Sequence, residues 1–265
     1  MSATACEVVL VTGGSKGIGR AVAERLAVAG GRLRHLVLTA RGAGPLEEAR
    51  AACEEAAQGA VEVHAIPCDI ADPTAVSELF VEARRRCEFV DGLVLNAGIV
   101  ETAKLHRTSD EMFERIFSIN VMGVFRPMRE ALPDMLVKNR GRVVAVASIA
   151  AHAGMSYVSA YCASKHAVLG LVRSAAREYA AQGITVNAVC PGYVDTPMTQ
   201  GSLAAIQGKT GLEPKEALAR ILATNPQGRL FQPEEVAAVI GWLMDEDAAG
   251  VNGASWTVDG GELAG

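Results

Sequence analysis

The chain has 265 residues, a net charge of −5, and half its residues hydrophobic but only 5% aromatic. A chain of this size suits one α/β domain spanning 1–265, able to bury about 70–75% of its unfolded surface without help from disulfides or metals. Its basic residues are scattered, which argues against a nucleic-acid or anionic-membrane partner; the one dense run, Arg84-Arg85-Arg86, reads as a solvated helix end.

Apolar runs of strand length alternate with longer amphipathic segments along the whole chain. The first strand is predicted at 8–11, then a glycine loop and a helix over 18–29. A strand at 36–39 and a helix over 45–57 follow, then a strand at 61–67 and a helix opening near Pro73, where proline suits a first turn. Strands at 93–95, 143–147 and 184–189 are separated by long helices over 109–137 and 155–181. The stretch 191–212, rich in Gly, Thr and Ser, reads as irregular and, following a strand, as part of a mobile substrate lid at about 195–225. A helix over 234–244 and a short strand at 255–258 close the chain. Strands that read as continuous apolar runs are buried on both faces, so the expected fold is a doubly wound, seven-stranded parallel sheet with helices on both sides.

The cysteines (Cys6, Cys53, Cys68, Cys87, Cys162, Cys190) form no CxxC pair, and the five histidines are dispersed, so no metal site is expected. Free thiols point to a reducing, cytoplasmic setting. No charged-then-apolar leader is read before Glu7, and no apolar run reaches the ~18 residues of a bilayer span.

Directly after the first strand comes Thr12-Gly13-Gly14-Ser15-Lys16-Gly17-Ile18-Gly19, opening a helix. Glycines there let the backbone turn sharply and approach a pyrophosphate, whose charge sits on the helix N-terminus. After the second strand stands Arg41 where an acidic residue would hold a ribose 2′-hydroxyl. Arg41, with Lys16, suits a 2′-phosphate instead, so NADP(H) is favoured over NAD(H).

Tyr161 and Lys165 lie one helical turn apart on one face. Bringing a phenol from about 10 to about 7 takes roughly 4 kcal/mol. One ammonium at about 4 Å supplies that much at an effective dielectric near 20. Ser148, ending the strand at 143–147, is placed to hold a substrate oxygen. Tyr157 has no lysine four residues on and reads as pocket wall or packing.

Together TGxxxGxG, the strand-following Leu95-Asn96-Ala97-Gly98, Tyr161-x-x-x-Lys165 and Pro191-Gly192-Tyr193-Val194-Asp195-Thr196 resemble the short-chain dehydrogenase/reductase family, from Val8 to the Val258-Asp259-Gly260-Gly261 tail. The resemblance implies a Rossmann-type sheet and an NAD(P)-dependent oxidoreductase interconverting a ketone and a secondary alcohol, with Tyr161 as acid/base. It implies that Asn96, Ala97 and Gly98 support the adenosine side of the pocket, that Asp69 and Ile70 flank the adenine, and that Asn120 orders a water leading to Lys165. Tyr161 and Lys165 would also meet the cofactor, with Lys165 on its ribose. Pro191, Gly192, Val194 and Thr196 would hold the nicotinamide side. The spacings, 28 residues from Asn120 to Ser148 and 13 from Ser148 to Tyr161, match the family pattern, while Leu95 stands where many members have Asn.

The region 187–198 looks like bacterial ketoacyl-thioester reductases and polyketide ketoreductases, with Arg126 and Arg177 where such enzymes carry basic residues near a carrier-protein face. A 3-keto/3-hydroxyacyl thioester is thus one expected substrate, and a small non-thioester alcohol another. Free 3-hydroxybutyrate fits less well, since Val100, Ala150 and Val158 replace its carboxylate-binding set and Gln200 alone survives. A cofactor-binding regulatory protein on an inactive reductase fold is the alternative from another class; an extended sugar-nucleotide epimerase would need a larger C-terminal substrate domain. The resemblance further implies a homotetramer, through the helical stretches 121–136 and 166–176 and the last strand.

Overall fold

The computed structural model describes residues 4–264. In chain order its elements are β1 (Val8–Thr12), α1 (Gly17–Ala27), β2 (His35–Thr39), α2 (Ala43–Ala57), β3 (Glu62–Ala65), α3 (Pro73–Cys87), β4 (Gly92–Leu95), α4 (Asp110–Asn120), α5 (Met122–Lys138), β5 (Gly141–Val146), α6 (Ser159–Tyr179), β6 (Ile184–Pro191), α7 (Pro197–Thr210), α8 (Pro214–Ile221), α9 (Pro233–Leu243) and β7 (Ser255–Val258). All seven strands pair in parallel in the order β3-β2-β1-β4-β5-β6-β7. The order reverses between β1 and β4, and the crevice at that reversal is where open α/β sheets bind ligands.

The predicted doubly wound sheet is therefore the observed one. Every residue of β1, β5 and β6 is buried, as continuous apolar strands between two helical layers require. One face packs Leu10, Leu93, Val143 and Val186 against Phe80 of α3, Met135 of α5 and Val172 of α6. The other packs Val9, Val11 and Val144 against Leu26 of α1, Leu46 of α2 and Ile240 of α9. All six cysteines are unpaired and buried. No helix among the described residues is long and apolar enough to cross a membrane.

At the sheet's N-terminal edge a polar knot joins three strands. Asp91, fully buried, accepts hydrogen bonds from the Glu7 and Val8 amides (3.0 and 2.9 Å) and pairs with the Arg140 guanidinium (2.7 Å). Its carbonyl takes the Arg142 amide at 3.1 Å. The starts of β1, β4 and β5 are thereby held in register.

Two predicted elements need correction. The pattern over 109–137 predicts one helix, but the structure breaks it at Val121 into α4 and α5. The Val124 and Phe125 amides both turn to the Val121 carbonyl (3.1 and 2.9 Å), so the Asn120 carbonyl loses its regular helical donor. The stretch 191–212, expected to be irregular, carries α7, and α8 follows it. Thr196 caps α7 and Pro197 occupies its first turn, while Glu213 and Glu216 form a capping box on α8.

Candidate active site

The glycine loop lies in a cleft of about 340 Å³ at the β1/β4 reversal, lined by Gly13, Ser15, Lys16, Gly17 and Ile18 together with Arg41, Asp69, Ile70, Asn96, Ala97, Gly98 and Thr196. Of the residues predicted to meet a cofactor, these twelve share one wall-to-wall space. Gly19 instead lies beneath it: a Cβ there would stand 2.3 Å from the Gly13 carbonyl oxygen, so the loop closes on itself only with glycine. Gly17 has φ +55° and faces the Thr196 methyl, which puts the start of α7 over the loop.

Asn96 is the brace of the loop. Its amide donates to the carbonyls of Thr12 and Gly13, both at 3.1 Å, and its backbone N–H donates to the Thr12 hydroxyl at 3.0 Å. The Ala97 amide reaches the same hydroxyl at 3.1 Å. Thr12, whose side chain was not singled out from the sequence, therefore ties β1 to β4 at the floor of the cleft. Its position one residue before the first loop glycine was the available signal.

A dinucleotide fits these residues on two observations. A Cβ on Gly13 would stand 2.8 Å from the Asn96 amide nitrogen, so the glycine leaves backbone where a phosphate needs it. The first turn of α1 also carries neither a side-chain cap nor an acidic residue, leaving its amides for an anion. Lys16 and Arg41 are exposed, and among the described residues neither makes an ion pair. Asp69 turns its carboxylate to the Ala71 amide (3.0 Å), and Ile70 packs under Gly123 at the start of α5.

The second group of predicted residues gathers beside the cleft. Tyr161 and Lys165 project from one face of α6, and Ser148 follows β5. The Ser148 hydroxyl accepts the Ala150 amide at 3.1 Å and lies near enough to the Tyr161 phenol to lower its proton affinity. Asn120 is fully buried: its Oδ1 accepts the Ile99 amide (2.8 Å), and its Nδ2 donates to the Ile99 carbonyl (2.9 Å) and to Ser164 Oγ (3.1 Å). Ser164, also missed from the sequence, donates in turn to the Tyr161 carbonyl at 2.7 Å. Asn120 thus links the β4 loop, the α4–α5 break and α6 through one amide.

Lys165 Nζ donates to the Val146 carbonyl at 2.9 Å and lies 5.6 Å from the centre of the Tyr161 ring. Burial pushes the Tyr161 phenol up to about 12, against the nearby Ser148 hydroxyl, which lowers it. Burial also brings the Lys165 ammonium down to about 8. Left to the protein's own groups, the phenol holds its proton throughout the neutral range.

The lysine carries a stability consequence. Below about pH 8 folded and unfolded chains both hold its proton, and the folded chain bears the full cost of burying the charge. Between about 8 and 10.5 the unfolded chain keeps a proton that the folded chain has released, so stability rises with pH. Lys165→Met is therefore expected to be more stable than the parent at pH 7 by about 2–3 kcal/mol, the gap closing towards pH ~10.5. Urea midpoints across that range measure it, and a gap independent of pH would refute the buried-charge account.

Three other predicted cofactor positions, Pro191, Gly192 and Val194, do not line the cleft. Pro191 and Val194 are buried and Gly192 packs on Asp259 and Phe231, where the end of β6 turns toward α7. Thr196 donates to the Val194 carbonyl (3.4 Å) while its oxygen caps the Thr199 amide (3.4 Å). Tyr157 is exposed with φ +71°, and its carbonyl accepts the Ala103 amide at 2.8 Å, so it anchors a neighbouring loop. Lys209 of α7 holds that loop from above through the Thr102 carbonyl (3.1 Å). Gln200 is occupied by Asp195 (2.9 Å). Arg126 is tied to the Ala71 carbonyl at 2.6 Å, whereas Arg177 is exposed.

The short chain dehydrogenase family model matches residues 7–207. The chain is a short-chain dehydrogenase. This dehydrogenase is 36% identical over 260 residues to levodione reductase of Leifsonia aquatica, covering 97% of this chain and 94% of the relative. It is 36% identical over 253 residues to the 3-oxoacyl-[acyl-carrier-protein] reductase MabA of Mycobacterium tuberculosis, covering 96% of this chain and 91% of the relative. Among solved structures, an actinorhodin polyketide ketoreductase crystallised with NADPH superposes with a TM-score of 0.91 at 36% identity, covering 99% of each chain. This dehydrogenase is accordingly an oxidoreductase acting on CH–OH groups with a nicotinamide cofactor.

Proposed function

We propose that this dehydrogenase interconverts a hydrophobic ketone and its secondary alcohol using NADP(H), with Tyr161 as the proton carrier. The observation that carries the reading is the gathering of four side chains beside the cleft: Asn120 reaches α6 through Ser164, which bonds the Tyr161 carbonyl, while Lys165 bonds Val146 at the end of β5, two residues before Ser148. Gly13, Ser15, Lys16, Gly17, Arg41, Asp69 and Asn96 would hold the cofactor, with Lys165 and Thr196 nearer its nicotinamide end. When bound, it supplies or takes up the hydride.

In reduction Tyr161, which keeps its proton throughout the neutral range, donates it to the substrate oxygen. Ser148 shares the same oxygen and stabilises the charge that develops on it. In oxidation the phenol must first be ionised, which calls on the Lys165 ammonium and on the positive charge of an oxidised nicotinamide. The protein alone leaves that proton in place, so oxidation is expected to rise with pH where reduction does not.

The substrate reading extends to 3-oxoacyl thioesters, supported by the likeness to a reductase named for such a substrate and by Met198, which faces the cleft from α7. Following NADPH and NADH in both directions, across hydrophobic ketones and 3-oxoacyl thioesters, tests the reaction and the substrate class together. Tight NADPH binding without turnover on any of them would overturn it.

The cofactor preference rests on Arg41 and Lys16, two cations in one cleft that share no carboxylate. Charge-assisted bonds to a 2′-phosphate are worth about 1.5–3 kcal/mol, so Arg41→Ala should raise the KM for NADPH about tenfold to hundredfold. The KM for NADH should stay within about twofold, since that cofactor offers no phosphate there. Equal losses with both cofactors would make Arg41 a bystander.

A further inference from the structure

The opposite end of the strands holds a second set of chemically competent side chains. His35 begins β2, Glu62 begins β3 and pairs with it in register, His64 follows two residues on, and Cys87 ends α3. His35 Nδ1 and His64 Nε2 face one another at 3.2 Å, and with the Cys87 sulfur they lie within 4.8 Å of one another. The Glu62 carboxylate closes the group, with one oxygen 3.5 Å from His35 Nδ1 and the other 3.7 Å from His64 Nε2. His64 and Cys87 are buried, and among the described residues the Cys87 thiol makes no hydrogen bond.

We propose that His35, His64, Cys87 and Glu62 form a zinc site. Two nitrogens at about 2.05 Å from a tetrahedral zinc stand about 3.3 Å apart, and a carboxylate oxygen lies at a similar distance from each. The observed nitrogen separation is close to this, while Glu62, whose two oxygens each face one histidine, would turn one of them toward both, and the sulfur would move about 1 Å. The donor set also balances charge: the Cys87 thiolate and the Glu62 carboxylate neutralise the dication, the thiol proton leaving to solvent. Imidazole with thiolate selects a borderline-soft ion over magnesium or calcium. The nearby Arg86 is already paired with Glu82 at 2.7 Å, so its charge does not stand against the ion.

A plain hydrogen bond between two stacked imidazoles accounts for the histidine pair, whose ring centres are 5.4 Å apart. It does not account for the Cys87 sulfur coming within 4.8 Å of a ring nitrogen of each histidine. The sequence offers no ligand spacing because the four donors come from two strands and a helix end. The site lies across the sheet from the glycine loop, so the ion would clamp the edge strand β3 to the end of α3 and leave the chemistry untouched.

Chelator-treated protein titrated with Zn²⁺ against a chromophoric competitor, and separately with Co²⁺, tests the proposal. The expected result is one ion per chain, a near-ultraviolet thiolate-to-cobalt charge-transfer band, and unchanged dehydrogenase activity. At about a hundredfold excess of zinc over its Kd, the Tm should rise about 5–10 °C. Cys87→Ala should abolish the band, and His35→Gln, at a partly exposed position, should weaken binding at least tenfold. The proposal is overturned if zinc binds below one equivalent per chain, if cobalt binds without the thiolate band, or if His35→Gln binds as the parent does.

Discussion

Tyr161→Phe should lower kcat about a thousandfold or more while changing cofactor affinity less than about threefold. Positioned acid–base catalysis contributes about 10²–10⁴ in rate. The phenylalanine also leaves the substrate oxygen with Ser148 as its one side-chain donor instead of two. The substitution removes a single oxygen and leaves the ring packed in α6, and none of the glycine loop, Asn96 and Arg41 touches it. Cofactor binding followed by NADPH fluorescence separates the two effects. A variant retaining more than about a tenth of the parent kcat would remove Tyr161 from the reaction.

Asp91→Ala should cost about 3–5 kcal/mol of stability, the loss expected when one member of a buried ion pair is deleted. The Glu7 and Val8 amides lose a fully buried acceptor, and Arg140, a quarter exposed, loses its closest carboxylate and keeps only Glu7. The urea midpoint should fall with little change in slope, and the Tm by about 10 °C. Asp91→Asn keeps one acceptor oxygen and should lose less. If the alanine variant melted within about 1 °C of the parent, the knot would be decorative and the registers of β1, β4 and β5 would be set by packing alone.

The seven strands were readable because each is an unbroken apolar run that needs only its two covering layers. The cleft was readable too, since a glycine loop between a strand and a helix has few other uses. What escaped depended on partners distant in sequence. The break at Val121 is imposed by Asn120 reaching Ile99 and Ser164, neighbours that the local pattern of α4 and α5 does not contain. The region 191–212 was a different failure: Gly201 and Gly208 lowered its helical propensity, yet the cap at Thr196-Pro197 was in plain sight. The dispersed histidines argued against a metal because spacing along the chain was the only measure available; parallel pairing of β2 with β3 makes neighbours of His35 and Glu62.

The six thiols give this protein a built-in chemical clock. Each is shielded by the fold, and burial holds those of Cys53, Cys68, Cys87 and Cys190 at about 11 to 12, where almost no reactive thiolate exists at neutral pH. Alkylation must wait for the surrounding segment to open, so its rate at each cysteine measures the free energy of that opening. Cys68 borders the cleft, whereas Cys53 sits on the buried face of α2 and does not line it, so a cofactor should slow the first more than the second. A thiol-reactive dye and a mass spectrometer would then map where the molecule loosens, without a single engineered label.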